Sequence, residues 1–296
     1  MTDVPGLERL LAQVEAQERV QLERCAVRIA QEAGALVRDQ RPDRLGVHHT
    51  KSSDLDVVTV MDTRSEQLLR DRIEAARPDD GILGEESGGG RIGRSGLTWV
   101  LDPIDGTVNY LYDLPGYAVS VAVVVGDPLT EGAWTPVAGA VYSPRVAETF
   151  HAHAGGGAWL TDVAGTRSLS CSTQSDLGLA LLATGFAYDR EVRRRQARIV
   201  ADLIPRVRDI RRMGAAAIDL AHVAAGRVDG YWEQGTKAWD MAAGVLLVAE
   251  AGGLVTGSAP ASAPGTAMVV AAGAALHESL RSDLEALQID RVRAKG

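Results

Sequence analysis

Carboxylates follow short apolar runs at three separate places in the sequence. These are the segments WVLDPIDGTVNY with Asp102 and Asp105, ILGEES with Glu85, and KAWD with Asp240. Carboxylates held close together repel one another, and a protein tolerates them when they share a proton or a cation. The pattern therefore raises the question of whether the three segments meet in one site.

The segment that contains Asp102 and Asp105 is the most informative of the three. Because Pro103 keeps the chain out of a helix, we predict that Asp102 ends a strand and Asp105 lies in the turn after it. Gly106 and Thr107 are expected to start a short helix whose first backbone N–H groups are free to hold a phosphate. Oxygen ligands without His or Cys favour Mg²⁺ over zinc. On these residues alone, a magnesium site and a capped turn are both open interpretations.

The other two carboxylates favour the magnesium interpretation without proving it. Glu85 ends a predicted strand that can lie beside the strand ending at Asp102. Asp240 opens a predicted helix just after Trp239, where a plain N-cap role is the common alternative. Spacing alone does not establish that the three segments converge.

Composition and charge limit the class of protein. The chain has 296 residues, of which 46% are hydrophobic and 24% charged, as in soluble globular proteins with one large domain or two modest ones. The net charge of −8 argues against a nucleic-acid binder. Cys25 and Cys171 lack metal-ligand spacing and are typical of thiols in a reducing compartment. The N-terminus has no secretory signal pattern and the apolar run at 117–126 is too short to span a bilayer, so we expect a cytoplasmic protein without a membrane partner.

Strands and helices alternate along the chain. Helices are predicted at 20–38, 66–76, 192–204, 214–226 and 238–253, the last ending in a glycine cap. Strands are predicted at 55–62, 81–86, 97–102, 117–125, 136–143, 147–153, 177–185, 207–213 and 228–233. Thr63 and Glu66 form a possible capping box for the helix at 66–76. Three of the strands, at 117–153, suggest an antiparallel meander.

Two histidine pairs and one arginine run have more ordinary interpretations. His48-His49 is expected on an exposed strand. His151 and His153 alternate on one strand face as a two-His metal pair would, but no acidic residue follows them, so a surface strand is predicted. The run at 193–195 is expected to be a solvated arginine face, with electrostatic steering as the alternative.

Five segments of the chain resemble the signature blocks of the inositol monophosphatase family, in the family's order and at similar separations. They are KSSDLDVVTVMD, GEES, WVLDPIDGTVNY, GAAAIDLAHVAAGRVDGYWEQG and WDMAAGVLLVAEAGG. The similarity covers about residues 20–290. It implies an α/β (α+β) fold, the layered α-β-α-β-α sandwich of the sugar phosphatases, with the active site between two halves. It also implies one catalytic domain over 1–296 with subdomains of about 1–165 and 166–296. The segment at 126–136 lengthens a hairpin beyond the family's usual form.

The resemblance implies a site for two to three Mg²⁺ ions. Glu85, Asp102 and the backbone carbonyl of Ile104 would hold the first ion. Asp102, Asp105 and Asp240 would hold the second. Glu85 would assist a third, weaker ion through water.

The same resemblance assigns the catalytic and substrate-binding roles. Thr107, paired with Asp62, would orient and deprotonate the attacking water, and Glu85 would be the third catalytic residue. The residues expected to bind substrate are Asp105, Gly106, Thr107, Ala216, Glu233 and Asp240, with Glu233 and Ala216 facing sugar hydroxyls. Lys51 matches a family lysine with a supporting role.

The function implied is Mg²⁺-dependent hydrolysis of inositol 1-phosphate by in-line attack of water, with Li⁺ sensitivity and a homodimeric state. Fructose 1,6-bisphosphatase, histidinol-phosphatase and other sugar-phosphate phosphatases of the same fold are alternatives. 3′-Phosphoadenosine 5′-phosphate phosphatase is disfavoured, because DGTVNY stands where that enzyme has residues like DGTKEF. A non-catalytic sugar-phosphate sensor is disfavoured by the intact set Asp62, Glu85, Asp102, Asp105, Thr107 and Asp240.

Overall fold

The computed structural model describes residues 7–51, 57–87 and 90–293. The helices in these ranges are α1 Leu7–Ala12, α2 Ala16–Asp39, α3 Val60–Ala76, α4 Thr107–Leu111, α5 Arg190–Leu203, α6 Ala216–Ala224, α7 Ala238–Glu250 and α8 Ala274–Arg293. The strands are β1 His49–Thr50, β2 Val57–Val58, β3 Gly81–Gly84, β4 Leu97–Asp105, β5 Ala118–Gly126, β6 Trp134–Ser143, β7 Glu148–His153, β8 Ala158–Asp162, β9 Gly165–Ser168, β10 Leu181–Thr184, β11 Asp209–Arg211, β12 Gly230–Glu233, β13 Gly253–Thr256 and β14 Val269–Gly273.

Two sheets organise the described chain. The first has the order β3-β4-β5-β6-β7-β8-β9, in which β3 is parallel to β4 and the remaining pairs are antiparallel. The second has the order β11-β10-β12-β14-β13, with β10 parallel to both of its neighbours and β14 antiparallel to both of its own. The predicted meander is confirmed as β5, β6 and β7.

The helices and sheets form five layers. Helices α2 and α3 cover the outer face of the first sheet, α6 and α7 lie between the sheets, and α5 and α8 cover the outer face of the second. Three buried apolar clusters fill the interfaces between these layers. The expected α-β-α-β-α sandwich is confirmed.

The most apolar elements lie where both faces are covered. Strand β5 is buried over all but its last residue, because helices cover both faces of the sheet. Between Met241 and Val248, helix α7 is apolar and buried on every side because it lies between the two sheets. The glycine cap predicted after α7 is confirmed by Gly252, which has a φ of +82°. In the described part of the chain, no helix combines the length and apolarity needed to cross a membrane.

Helix α3 begins earlier than the sequence predicted. Of the predicted strand at 55–62, only Val57–Val58 is confirmed as β2; the prediction is wrong from Val60 on, where the helix starts. The capping box consists of Thr59 and Asp62, which form it in place of the predicted pair four residues later. Glu66, expected in that later box, is instead buried and accepts a hydrogen bond from the Glu86 backbone N–H at 2.8 Å.

The histidines of β7 are also placed differently from the prediction. His151 and His153 are largely buried under α2. Their Nδ1 atoms lie 2.7 and 2.5 Å from the two carboxylate oxygens of Glu23 on that helix. The sequence showed no acidic partner because Glu23 lies more than a hundred residues away along the chain. The expected exposure of His48-His49 is confirmed.

Candidate active site

A bulge in β4 sets the direction of the first two carboxylates. The strand continues through Asp105 instead of ending at Asp102, which corrects the predicted strand end. Asp102 lies opposite Ser120 and Asp105 opposite Ala118, so the stretch around Pro103 has one residue more than the facing strand. Such a bulge bends the strand and re-aims its side chains, and it tolerates a proline without a ladder hydrogen bond. Both carboxylates are buried.

The residue after the bulge must be a glycine. Gly106 has a φ of +91°, and a Cβ there would lie 2.8 Å from the Gly116 carbonyl oxygen. The turn brings Thr107 to the start of α4, where its Oγ1 lies 2.9 Å from Asp62 Oδ1 and 3.0 Å from the Ile104 carbonyl oxygen. The Thr107 hydroxyl is therefore oriented by two acceptors.

Asp62 links this turn to α3. Its Oδ2 accepts a hydrogen bond from the Thr59 backbone N–H at 2.8 Å, while Oδ1 faces Thr107. Burial raises the pKa of Asp62 to about 6, although the hydrogen bonds from Thr59 and Thr107 act in the opposite direction. The carboxyl group is thus poised to exchange a proton near neutral pH.

Asp105 is held by the first turn of α6. Its two oxygens accept hydrogen bonds from the backbone N–H groups of Ala216, at 3.2 Å, and Ala217, at 2.6 Å. Burial raises the pKa of Asp105 to about 7, and the Ala217 N–H opposes that shift. The contact joins the carboxyl end of β4 in the first sheet to the middle helical layer.

Lys51 bridges the two glutamates that follow β3. Its Nζ lies 2.8 Å from Glu85 Oε1 and 2.8 Å from Glu86 Oε1. Burial disfavours the ammonium, but the two carboxylates outweigh it and raise the pKa of Lys51. Burial also raises the pKa of Glu86, to about 7, although Lys51 opposes the shift. In the described chain, Lys51 is the cation that neutralises Glu85.

Asp240 reaches the same region from the middle layer. It lies in the first turn of α7, where its Oδ2 accepts a hydrogen bond from the Lys237 backbone N–H at 2.6 Å. Burial raises the pKa of Asp240, and repulsion from Glu85 and Asp105 adds to the shift. Burial likewise raises the pKa of Asp102, with repulsion from Glu85, Asp105 and Asp240. The carboxylates of the three sequence segments are thus close enough to perturb one another.

Glu233 lies at the end of β12 in the second sheet. Its Oε2 accepts a hydrogen bond from the Tyr231 hydroxyl at 2.8 Å, and its carboxylate lies flat against Gly185, where any Cβ would collide with it. Burial raises the pKa of Glu233 to about 7, and both Tyr231 and the Arg212 guanidinium oppose the shift. A carboxylate fixed in this way can accept hydrogen bonds from hydroxyl groups.

A cleft of about 610 Å³ collects most of the predicted site residues. Its lining includes Lys51, Glu85, Asp105, Gly106, Ala216, Glu233 and Asp240. Asp62, Asp102, Ile104 and Thr107 are not part of the lining surface, and the first three of these are buried behind it. The structure thus brings the sequence segments together around one cleft. Some of the predicted site residues line its surface, and the others do not.

Several polar groups at this site were not singled out from the sequence. Tyr231 could have been found, because it is two residues from Glu233 and therefore on the same strand face. Glu86 is adjacent to Glu85, and Ala217 to Ala216. Thr266 also lines the cleft, but it follows a Gly-, Ser-, Ala- and Pro-rich segment that carries no chemical signal.

The donor set fits a hard divalent cation by type and charge. The side chains expected as ligands present carboxylate oxygens, which Mg²⁺ prefers. Burial raises the pKa values of Asp102 and Asp240, and repulsion between the carboxylates adds to the shift. A bound cation would relieve that repulsion. In the described ranges, no three acidic, histidine or cysteine side chains are already grouped to hold a metal ion. The fit is therefore one of chemistry and not of preformed geometry.

The layered sandwich with a carboxylate-lined cleft between its sheets is the architecture of a class of metal-dependent phosphatases. The chain belongs to the inositol monophosphatase family, whose model matches residues 18–288. The family expected from the sequence is thereby confirmed.

Similar proteins and similar solved structures support the assignment to this family. The chain is 43% identical over 281 residues to the inositol-1-monophosphatase SuhB of Mycobacterium tuberculosis H37Rv, a match that covers 90% of this chain and 94% of that one. It is 42% identical over 232 residues to the Nus factor SuhB of Escherichia coli K12, covering 78% and 83%. The structure of Mycobacterium tuberculosis SuhB matches with a TM-score of 0.76 over 91% of this chain and 97% of that one, at 43% identity. The suhB protein of Bartonella henselae matches with a TM-score of 0.78 over 90% and 98%, at 34% identity.

Proposed function

We propose that the protein is a Mg²⁺-dependent phosphomonoesterase that hydrolyses inositol 1-phosphate to inositol and phosphate. The observation that carries the proposal is the group of mutually repelling carboxylates of Glu85, Asp102, Asp105 and Asp240, next to the hydrogen-bonded pair of Thr107 and Asp62. The name of the Mycobacterium tuberculosis relative, an inositol-1-monophosphatase, supports the same substrate.

The carboxylates are the proposed ligands of two to three Mg²⁺ ions. Glu85, Asp102 and the Ile104 carbonyl would hold one ion, and Asp102, Asp105 and Asp240 another. When bound, Mg²⁺ lowers the pKa of water and neutralises charge on the attacking and leaving oxygens. The Lys51 ammonium, which neutralises Glu85 here, would then be free to turn toward the anionic substrate.

Thr107 and Asp62 are the proposed proton carriers. The Thr107 hydroxyl donates toward Asp62 Oδ1, so the lone pairs of its oxygen are left to accept a hydrogen bond from the attacking water. As that water attacks phosphorus, its proton passes to Thr107 Oγ1 while the Thr107 proton passes to Asp62. With a pKa of about 6, Asp62 is largely ionised at neutral pH and can accept it.

The substrate is proposed to lie between the two sheets. The Gly106 and Thr107 backbone N–H groups would hold the phosphate. Glu233 and Ala216 would face the inositol hydroxyls, with Glu233 fixed by Tyr231. Asp105 and Asp240 are expected to contact both the cation and the substrate.

A bisphosphate substrate is the second candidate. Arg195 and Arg212 line the same cleft, and both residues are exposed. Two such cations at the rim can attract a second phosphate group, as in fructose 1,6-bisphosphate.

A phosphate-release assay over a substrate panel tests both candidates. The panel contains inositol 1-phosphate, fructose 1,6-bisphosphate, histidinol phosphate and p-nitrophenyl phosphate, each with Mg²⁺ and with EDTA. We expect the highest kcat/KM for inositol 1-phosphate, activity only with Mg²⁺, and inhibition by millimolar Li⁺ in a parallel titration. A higher kcat/KM for fructose 1,6-bisphosphate would favour the second candidate, and equal rates with EDTA would refute metal dependence.

A further inference from the structure

The loop between β5 and β6 is long and internally ordered. It spans residues 127–133, whereas most hairpins close with about two to five residues. The Asp127 carboxylate accepts hydrogen bonds from the Leu129 backbone N–H at 3.0 Å and from Thr130 Oγ1 at 2.7 Å. Glu131 is the residue that follows this turn.

Glu131 contacts a loop that belongs to the second sheet. The Thr266 backbone N–H donates a hydrogen bond to Glu131 Oε1 at 2.6 Å. A Cβ on Gly265 would lie 2.4 Å from the Glu131 carboxyl carbon, so the carboxylate packs directly on that glycine. Beside it, a Cβ on Gly132 would lie 3.2 Å from Ala263 Cβ. The hairpin of the first sheet is therefore docked on the segment that leads into β14.

The segment at 265–267 is hydrogen-bonded in turn to the residues before α7. The Thr266 carbonyl accepts a hydrogen bond from the Gly235 backbone N–H at 2.8 Å. Thr266 Oγ1 donates to the Thr236 carbonyl at 3.3 Å, and Thr236 Oγ1 donates to the Gly265 carbonyl at 3.4 Å. Thr266, Gly235 and Thr236 all line the cleft, and α7 begins two residues after Thr236 with Asp240 in its first turn.

We propose that Glu131 is a positioning residue that fixes the cleft wall formed by residues 235–237 and 265–267, and with it the start of α7. Glu131 itself would touch neither substrate nor cation. It acts through Thr266 and Gly235 on the segment that places Asp240. The inference rests on the proposed function, because that function gives this wall its role in binding the cation and the sugar.

Two substitutions of Glu131 separate the hydrogen bond from the rest of the side chain. Glu131→Ala removes the acceptor of the Thr266 N–H, whereas Glu131→Gln keeps an oxygen in the same place. Thr130→Ala is the matched control, because it removes a hydrogen bond within the same hairpin without touching the second sheet. Each variant is compared with the wild-type full chain by hydrogen exchange without Mg²⁺ and by kinetics with it.

For Glu131→Ala we expect faster amide exchange in peptides covering Gly235, Thr236 and Thr266. We also expect the Mg²⁺ concentration at half-maximal activity and the KM for inositol 1-phosphate to rise roughly two- to tenfold, the effect of one net hydrogen bond. Glu131→Gln and Thr130→Ala should remain close to wild type in all three measurements.

The results distinguish failure of this inference from failure of the proposed function. If Glu131→Ala leaves amide exchange at the cleft wall, the Mg²⁺ requirement and the KM unchanged, or if Thr130→Ala or Glu131→Gln has the same effects as Glu131→Ala, the positioning role is refuted. If the wild type releases no phosphate from inositol 1-phosphate, the proposed function fails, while the exchange measurement still decides whether Glu131 orders the wall.

Discussion

At the scale of single residues, Asp102 combines a proposed ligand role with a structural role in the bulge of β4. It is buried, and among the described residues its carboxylate accepts a hydrogen bond from the Ile104 backbone N–H at 3.1 Å. Asparagine can keep that hydrogen bond while removing the negative charge. The charge of Asp102 is thus separable from its part in holding the bulge.

Asp102→Asn is therefore expected to abolish turnover with the fold intact. Mutating a residue that only hydrogen-bonds to a metal ligand typically lowers activity by about 10- to 100-fold. Because Asp102 is a proposed ligand of two ions, the kcat of the variant should fall by more than about 100-fold. Steady-state kinetics at saturating Mg²⁺ and circular dichroism measure the two effects. Asp71→Asn on the exposed face of α3 is the control. Near-normal kcat in Asp102→Asn would contradict the site assignment.

Glu233→Gln tests which residue recognises the sugar. Glutamine keeps an acceptor for the Tyr231 hydroxyl and the contact with Gly185, but loses the charge. Hydrogen bonds to a charged group contribute about 1.5–3 kcal/mol, so the KM for inositol 1-phosphate should rise by about tenfold or more. The KM for p-nitrophenyl phosphate, which has no sugar hydroxyls, should change little. Equal losses on both substrates would mean that Glu233 supports the site without reading the sugar.

Asp219 on α6 is a buried carboxyl group for which the described chain offers no hydrogen-bond partner. Burial raises its pKa well above the ordinary value, and Glu233 and Asp105 add to the effect. A raised folded-state pKa means that the contribution of Asp219 to stability is full at acidic pH and is lost as the pH rises. Each tenfold difference in proton affinity between the folded and unfolded chains corresponds to a loss of about 1.4 kcal/mol.

Asp219→Asn should remove that pH-dependent loss. We expect the melting temperature of the variant, relative to wild type, to increase between pH 5 and pH 8. Asp71→Asn should show no such trend, because Asp71 is exposed. A variant that becomes relatively less stable toward pH 8 would mean that Asp219 is ionised and paired in the folded protein.

At the scale of elements, the sequence pattern predicted most elements around the site but not their ends, and it missed α1, α8 and the strands β8, β9, β13 and β14. The helices α2 and α5 were found from their amphipathic spacing, α6 from its small residues and α7 from its continuous apolar composition. The start of α3 was missed because Thr59 with Asp62, and Thr63 with Glu66, are two possible capping boxes four residues apart. The end of β4 was missed because a bulge lets a strand continue past Pro103, which no local rule predicts.

The candidate site could be predicted only in part from its residues. The residue types indicated a hard cation. Convergence of the segments, however, depends on tertiary contacts among β4, α6 and α7, which residue spacing does not predict. The family resemblance supplied that convergence. Contacts such as Asp105 to Ala217, or Glu131 to Thr266, join residues more than a hundred positions apart and left no local signal.

The turn between β4 and α4 can be tested with a matched pair of glycines. Gly106 and Gly155 both have positive φ, but only at Gly106 would a Cβ collide with neighbouring backbone. Each alanine variant should lose about 1–2 kcal/mol of stability through its backbone conformation. Gly106→Ala should lose more, and should also lose most of its kcat as Thr107 is displaced. Melting temperatures and kcat that match between the two variants would contradict a special role for this turn.

At the scale of the whole molecule, the proposed cation ligands come from different layers. Asp102 and Asp105 belong to the first sheet, Glu85 follows its edge strand β3, and Asp240 belongs to α7 in the middle layer. Without a cation these carboxylates repel across the junction of the layers. A ligand bound there would hold the layers together, so cation binding and global stability should be linked.

Mg²⁺ should therefore raise the melting temperature of the protein. A ligand at 100 times its dissociation constant stabilises the folded state by about 2.7 kcal/mol. For a chain of 296 residues that corresponds to a rise of about 4 °C. In Asp240→Asn the rise should be largely lost, because the variant removes the negative charge of the proposed Mg²⁺ ligand that joins α7 to the first sheet. Asp71→Asn should behave as wild type. Differential scanning calorimetry with Mg²⁺, and with K⁺ at the same ionic strength, separates specific binding from screening. An equal rise in Asp240→Asn would mean that Asp240 is not a ligand of the cation and would place the cation on the first sheet alone.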